Sequence, residues 1–239
     1  MKVLKQYVRY YISGTLRERR ERRLRLKIIS MHESKDYNES VLRKYVRTVI
    51  LEHINEVCGE VSADVADALA TAQMAHLGQT RRSGEPYLTH PIEVANIVHA
   101  YYPENPVLCA AALLHDTLED ALKLGNVEHN EDMESLIAGS FGSPEVGNKA
   151  LAIVKSLTHS GGTKYSDYVL GVAKDPDVLK IKLADMLHNL RSSPSEKQKE
   201  KYSNALASLS PDGSVPFGIN SAHWKELIKL TTNDREGLS

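Results

Sequence analysis

From about residue 40 onward, apolar positions recur every three or four residues, and no strand-like alternation of any length interrupts them. That period is the signature of helices with one buried face. "SVLRKYVRTVILEHINEVC" carries Leu42, Val46, Val49, Ile50 and Ile54 at this spacing. "SADVADALATAQMAH" opens on a Ser62 cap and runs to His76. Further helices are predicted over "IEVANIVHAYY", closed by Pro103 and Pro106, and over "PVLCAAALLHDTLEDAL", which turns abruptly acidic. Ser143-Pro144 and Asp175-Pro176 mark two helix starts, with proline at the first helical position. These open "SPEVGNKALAIVKSLT" and "DPDVLKIKLADMLHNLRSS", with a "HSGGTK" loop and a short "YSDYVLGVAK" helix between them. "SEKQKEKYSNALASLS" adds another amphipathic helix, and the Gly/Pro/Ser-punctuated remainder holds one docking segment, "AHWKELIKL". The expected fold is therefore all-α, a helical bundle without internal repeats.

Charge divides the chain. Residues 1–30 hold ten Lys/Arg against two Glu, a local balance of +8, whereas the remaining residues hold twenty basic and twenty-nine acidic side chains. The expected organisation is a basic helical extension over 1–36, a bundle domain over 37–210 and a tail over 211–239. In the extension, Leu16, Leu24 and Leu26 among alternating Arg and Glu suit a solvated helix with i,i+3 and i,i+4 ion pairs. Nucleic acid is a partner open only to this segment, and Met31 offers a second start downstream of it. The body is acidic, so a phosphate-rich ligand needs a metal or placed arginines. At 41% hydrophobic and 26% charged residues, the composition is that of a globular protein. No membrane span and no secretory leader are expected, because no apolar run is long enough and arginines crowd the N-terminus. Cys58 and Cys109, far apart and flanked by apolar residues, read as buried free thiols in a cytoplasmic protein.

Candidate chemistry lies where charge enters positions that should be buried. His115 and Asp116 end the apolar run from Val107 to Leu114. On a continuous helix, His115 would face Glu119, and Asp116 would face Asp120. Asp185 sits among Leu183, Ala184, Met186 and Leu187, with Asn189 one turn on. An unpartnered carboxylate at such positions costs several kcal/mol, so a cation or a hydrogen-bonding partner is implied. Joined to His90, these residues form a His…His-Asp…Asp pattern of two imidazoles and two carboxylates, a mixed set that suits a Mn, Fe or related ion. No thiolate belongs to it, which argues against structural zinc. His90 itself closes "HLGQTRRSGEPYLTHP", a stretch that sets adjacent arginines and a Ser-Gly turn beside two histidines.

The pattern His90…His115-Asp116…Asp185 resembles the HD-domain metal-dependent phosphohydrolases. "HLGQTRRSGEPYLTHP", "LLHDTLED" and "KLADMLHNLR" look more specifically like the hydrolase domain of the RelA/SpoT family, over roughly residues 40–205. The resemblance implies an HD-domain helical bundle that removes the 3′-pyrophosphate of (p)ppGpp, giving GDP or GTP and pyrophosphate. It implies one Mn²⁺ ion held by His90, His115, Asp116 and Asp185. Glu119 and Asp120 match the acidic pair that positions or activates the attacking water. Arg81, Arg82 and Ser83 match the nucleotide-contacting loop, and Asn189 matches a substrate-holding asparagine. The chain leaves no room for a synthetase domain after the bundle, so it reads as a small stand-alone hydrolase.

Arg82 stands where the family often has lysine, Ala121 where it has threonine, and "VKSLTHSGGTKYSDYV" differs from the usual Val-Thr-Lys-Leu segment. Lys155, Tyr165 and Tyr168 are further substrate-side candidates. His188 reads as facing away from the metal or supporting it from behind. Two alternatives stand beside alarmone hydrolysis. One is an HD phosphohydrolase acting on another nucleotide such as NADPH, and the other is a catalytically silent nucleotide-binding regulator. The intact ligand set and acidic pair weigh against the silent regulator.

Overall fold

A computed structural model describes Cys58, residues 62–159 and residues 161–232. The basic extension and most of the helix expected over 40–58 lie outside the described residues. Among the described residues the elements are helical, and β pairing is confined to an isolated antiparallel bridge between Thr80 and Pro86. In chain order the helices are α1 (Ala63–Ala75), α2 (Thr89–Tyr101), α3 (Pro106–Leu113), α4 (Thr117–Asp120), α5 (Asn130–Gly139), α6 (Pro144–Leu157), α7 (Tyr165–Val172), α8 (Pro176–Arg191), α9 (Glu196–Leu209) and α10 (Ser221–Thr232).

Helix starts follow local side-chain chemistry. Ser62 Oγ accepts from Val65 N at 3.3 Å, Asp175 Oδ1 from Asp177 N at 2.8 Å and Ser195 Oγ from Gln198 N at 3.3 Å. Each satisfies an orphan donor of a first turn. α3 is apolar on all sides and buried from Leu108 to Leu113, which makes it the centre of the bundle. α1, α2, α6 and α8 pack around it. α5 and α6 approach so closely at Gly147 that a Cβ there would overlap the Ala138 carbonyl.

Three expectations change. The helix predicted through Pro106–Leu122 breaks after Leu113, and residues 114–116 form turns in which the N–H groups of Leu114, His115 and Thr117 reach back three residues. Side chains cause this: Thr117 Oγ1 donates to the Leu114 carbonyl at 2.7 Å, and His115 Nδ1 to that of Ala112 at 2.8 Å. Secondly, α2 begins at Thr89, so His90 lies in a helical first turn rather than in the loop before it. Pro91 has no N–H to lose there. Thirdly, Cys58 and Cys109 are not free thiols. The structure joins them in a disulfide across 51 residues of sequence. Both sit on the same buried core, a proximity that sequence separation hides. No helix among the described residues is long and apolar enough to cross a membrane.

α10 carries the core beyond residue 210, with His223, Trp224 and Leu227 buried. Tyr101 Oη donates to Glu226 Oε2 at 2.6 Å, and Arg191 Nη2 to Glu226 Oε1 at 2.7 Å. His223 is fully buried, with Nδ1 3.0 Å from Tyr102 Oη. Burial lowers its pKa from 6.5 to about 4. Between those values the unfolded chain holds a proton that the folded chain refuses, so stability falls as pH drops through the window. The expected loss from pH 7 to pH 4 is about 3 kcal/mol from this group. Urea melts at the two pH values measure it, and His223→Gln should shrink the difference between them by about that amount. A variant with an unchanged acid limb counts against it.

Candidate metal centre and active site

Three separate segments bring four side chains to one place. α2 presents His90 from its first turn, where His90 N donates to the Tyr87 carbonyl at 2.8 Å. The break between α3 and α4 presents His115 and Asp116, and the buried face of α8 presents Asp185. Nitrogens of His90 and His115 and a carboxylate oxygen of Asp185 all lie within 4.8 Å of one another. His90 Nε2 is 3.3 Å from Asp185 Oδ1 and 3.5 Å from Asp116 Oδ2, and His115 Nε2 is 3.1 Å from that same Asp116 oxygen.

The hydrogen-bond pattern decides how these groups present themselves. The Ala112 carbonyl can only accept, so His115 Nδ1 carries a proton and Nε2 points into the site. Nε2 is buried without a hydrogen-bond partner. Burial works against charge on His115, but Asp116 and then Asp185 outweigh it and raise its pKa to about 9. Burial alone would also raise both carboxylates. Instead, the Lys182 ammonium holds Asp185, and His115 holds Asp116, well below the carboxylate range. Lys182 Nζ donates to Asp185 Oδ2 at 2.9 Å, and its ammonium lies 5.3 Å from the Tyr168 ring centroid and 5.7 Å from that of Tyr165. Burial disfavours its charge, yet Asp185 raises its pKa further.

An inward-aimed, unpartnered imidazole nitrogen beside a second imidazole and deprotonated carboxylates fits a divalent cation. His90, His115 and Asp185 are the residues that could hold one, with Asp116 against the same two nitrogens.

The acidic pair divides. Asp120 Oδ2 accepts from Gln79 Nε2 at 2.8 Å, and Gln79 Oε1 lies 2.7 Å from His76 Nδ1. Burial, reinforced by repulsion from Asp116, raises the Asp120 pKa despite that hydrogen bond. Glu119 instead pairs with Lys123 Nζ at 3.0 Å, one turn on. The helix break rotates it away from the i,i+4 relation to His115 that a continuous helix would have given.

The arginine loop is a tight turn, closed by Arg81 N to the Glu85 carbonyl and Gly84 N to the Arg81 carbonyl, both at 2.9 Å. Gly84 has φ +88°, which only glycine adopts readily. Arg82 and Ser83 are exposed at its tip, while Arg81 Nη2 approaches Asn189 Oδ1 at 3.5 Å. Asn189 Nδ2 donates to Asp185 Oδ1 at 2.6 Å. Asn126 Nδ2 ties the far end of the loop by donating to the Ala75 and Leu77 carbonyls. Lys155 is not brought to the site, because its Nζ pairs with Glu134 Oε2 at 2.6 Å.

Three participants, Gln79, Tyr87 and Lys182, escaped the sequence reading, and His188 takes the supporting place that was one of its two expected roles. Gln79 positions Asp120, and Tyr87 Oη donates to Asp116 Oδ2 at 2.6 Å. Lys182 pairs with Asp185, and His188 Nδ1 lies 2.7 Å from His90 Nδ1. Burial lowers the His188 pKa to about 3 and keeps the ring neutral. Only Lys182 left a usable signal, being a lone cation three residues before Asp185 on an apolar face.

A helical bundle with His-Asp at a helix break and an Asp on a facing helix defines a class. The HD domain model matches residues 68–210, and the chain belongs to that family. It is 35% identical over 167 residues to a probable GTP pyrophosphokinase of Mycobacterium leprae, covering 67% of this chain and 20% of that one. It is 35% identical over 161 residues to the bifunctional (p)ppGpp synthase/hydrolase RelA of Mycobacterium tuberculosis, covering 66% and 21%. A guanosine-3′,5′-bis(diphosphate) 3′-pyrophosphohydrolase of Escherichia coli O157:H7 is 36% identical over 127 residues, covering 52% and 17%. The chain thus spans about a fifth of the length of these relatives and carries a hydrolase-type HD domain.

Proposed function

We propose that the protein hydrolyses the 3′-pyrophosphate of (p)ppGpp with Mn²⁺ as its cation. The observation that carries this reading is the convergence of His90 Nε2, the orphaned His115 Nε2 and Asp185 on one spot, with Asp120 near enough to Asp116 to be repelled by it. Names of relatives that make or degrade (p)ppGpp support the substrate class. A divalent ion, when bound, supplies Lewis acidity toward a phosphoryl oxygen and toward water.

The remaining work falls to side chains. Asp120, held by Gln79 and raised in pKa, takes the proton as water oxygen adds to the 3′-linked phosphorus. The bond from that phosphorus to the ribose 3′-oxygen breaks, pyrophosphate leaves, and the 3′-oxygen regains a proton as the hydroxyl of GDP or GTP. Glu119, at the rim beside Lys123, assists by orienting the water. Arg81, Arg82 and Ser83 contact the nucleotide, with Arg offering a planar fork to phosphate oxygens. Asn189 joins the substrate side to Asp185. A cytoplasmic location follows from such a nucleotide substrate.

Incubation of the protein with Mn²⁺ and ppGpp should release GDP and pyrophosphate in equal amounts, resolved by anion-exchange chromatography. No turnover of ppGpp, together with phosphate release from NADPH in a parallel reaction, would reject the substrate assignment. Binding of ppGpp without any hydrolysis would favour a silent regulator.

A further inference from the structure

Metal-ligating imidazoles need their far nitrogen anchored, because that bond decides which nitrogen keeps the proton. His115 has the Ala112 carbonyl for this purpose. His90 has no carbonyl or carboxylate on its Nδ1, which faces His188 Nδ1 at 2.7 Å with ring centroids 4.8 Å apart. Two imidazoles can share such a bond in either direction, so a third group must set it. Ser192 does: its Oγ lies 2.8 Å from the His188 carbonyl and 3.4 Å from His188 Nε2. The carbonyl takes the serine proton, which leaves the serine oxygen to accept from His188 Nε2–H. His188 then carries its proton on Nε2 and offers a lone pair at Nδ1. His90 must donate from Nδ1, and its Nε2, facing Asp116 and Asp185, is left bare.

We infer that His188 is a positioning residue, fixing the proton of His90 on Nδ1 so that Nε2 is a donor for a divalent cation. The inference rests on the reading of His90, His115 and Asp185 as a cation site. One helix, α8, thereby supplies both a ligand, Asp185, and the orienter of a ligand on α2, one turn apart on the same side. The direction of the relay runs from His90 through His188 and Ser192 to the His188 carbonyl. No carboxylate takes part in it.

The test uses the full chain, metal-free, with Mn²⁺ alone as probe. Free Mn²⁺ is counted by electron paramagnetic resonance, and ring-nitrogen chemical shifts report the tautomer of His90. His188→Phe keeps the ring volume and removes the acceptor. Its expected effect is a 10- to 100-fold loss of Mn²⁺ affinity, with His90 no longer held as the Nδ1–H form. His188→Asn places an amide oxygen where Nδ1 was and should bind within about threefold of the unaltered protein. Equal Mn²⁺ affinity in the Phe variant overturns the inference, as does an Nε2-protonated His90 in the unaltered metal-free protein. The tautomer reading stands even if the Phe variant does not fold. Absence of Mn²⁺ binding by the unaltered protein rejects the cation site itself, and the ring-nitrogen shifts then still decide the tautomer.

Discussion

Asp116→Asn is expected to leave the protein folded and to lower ppGpp turnover at least a thousandfold. Asparagine has the same shape, and its side-chain oxygen can still accept from Tyr87 Oη, now 2.6 Å from Asp116 Oδ2. What disappears is a full negative charge 3.1 Å from His115 Nε2 and 3.5 Å from His90 Nε2. Asp185 then remains the only carboxylate against the two imidazoles, and cation affinity falls with the charge of the set. A thousandfold is roughly 4 kcal/mol of transition-state stabilisation, within reach of one electrostatic group in a site shielded from water. Mn²⁺ titration and single-turnover hydrolysis read the two losses separately, and thermal melting reads the fold. Turnover within tenfold of the unaltered protein would remove Asp116 from the proposed machinery.

Lys182→Met should destabilise the metal-free protein by about 3 kcal/mol. Methionine keeps the stem that lies against Tyr165 and Tyr168, so packing is largely conserved. Asp185 loses its ammonium partner and stays buried, at 7% exposure, among Leu183, Ala184, Met186 and Leu187. Removing one partner of a buried pair leaves the other's desolvation uncompensated. Two checks follow from the geometry. Asp185→Asn in the Lys182→Met background should recover most of the loss, and saturating Mn²⁺ should narrow it by offering Asp185 another positive charge. Equilibrium urea melts of the three proteins, with Mn²⁺ added for the first two, supply all five values. Equal stability of Lys182→Met and the unaltered protein would show that His90, His115 and Asn189 suffice to hold the carboxylate.

The parts of the fold that were legible are those whose causes lie within one turn of the chain. Ser62, Ser143-Pro144 and Asp175-Pro176 announced α1, α6 and α8, and the residues near Ser195 announced α9. α5 was not recognised because a bundle-edge helix buries little. Met133 and Ile137, one turn apart, are its only buried side chains, and the rest of its sequence looks like a polar loop. The break at 114–116 was invisible for the opposite reason, since the apolar run passes straight through it. Competition between side chains and backbone for the Ala112 and Leu114 carbonyls, not hydrophobic period, ends α3. At the site, residues carrying unusual charge in apolar surroundings could be picked out singly. Gln79 and Tyr87 could not, because a neutral hydrogen-bonding group acquires its meaning only from what it touches 29 to 41 residues away.

The N-terminal approach to the arginine turn is fastened to a single other piece of chain. Gln79 grips Asp120, and Asn126 grips the Ala75 and Leu77 carbonyls. Residues 75–90 and 120–126 therefore form a single inheritable module for anyone reshaping substrate choice. Exchanging the arginine turn alone for one that lacks Gln79 would leave Asp120 without its side-chain partner, whereas exchanging both segments together would carry the turn and the proposed proton acceptor across with their contact intact.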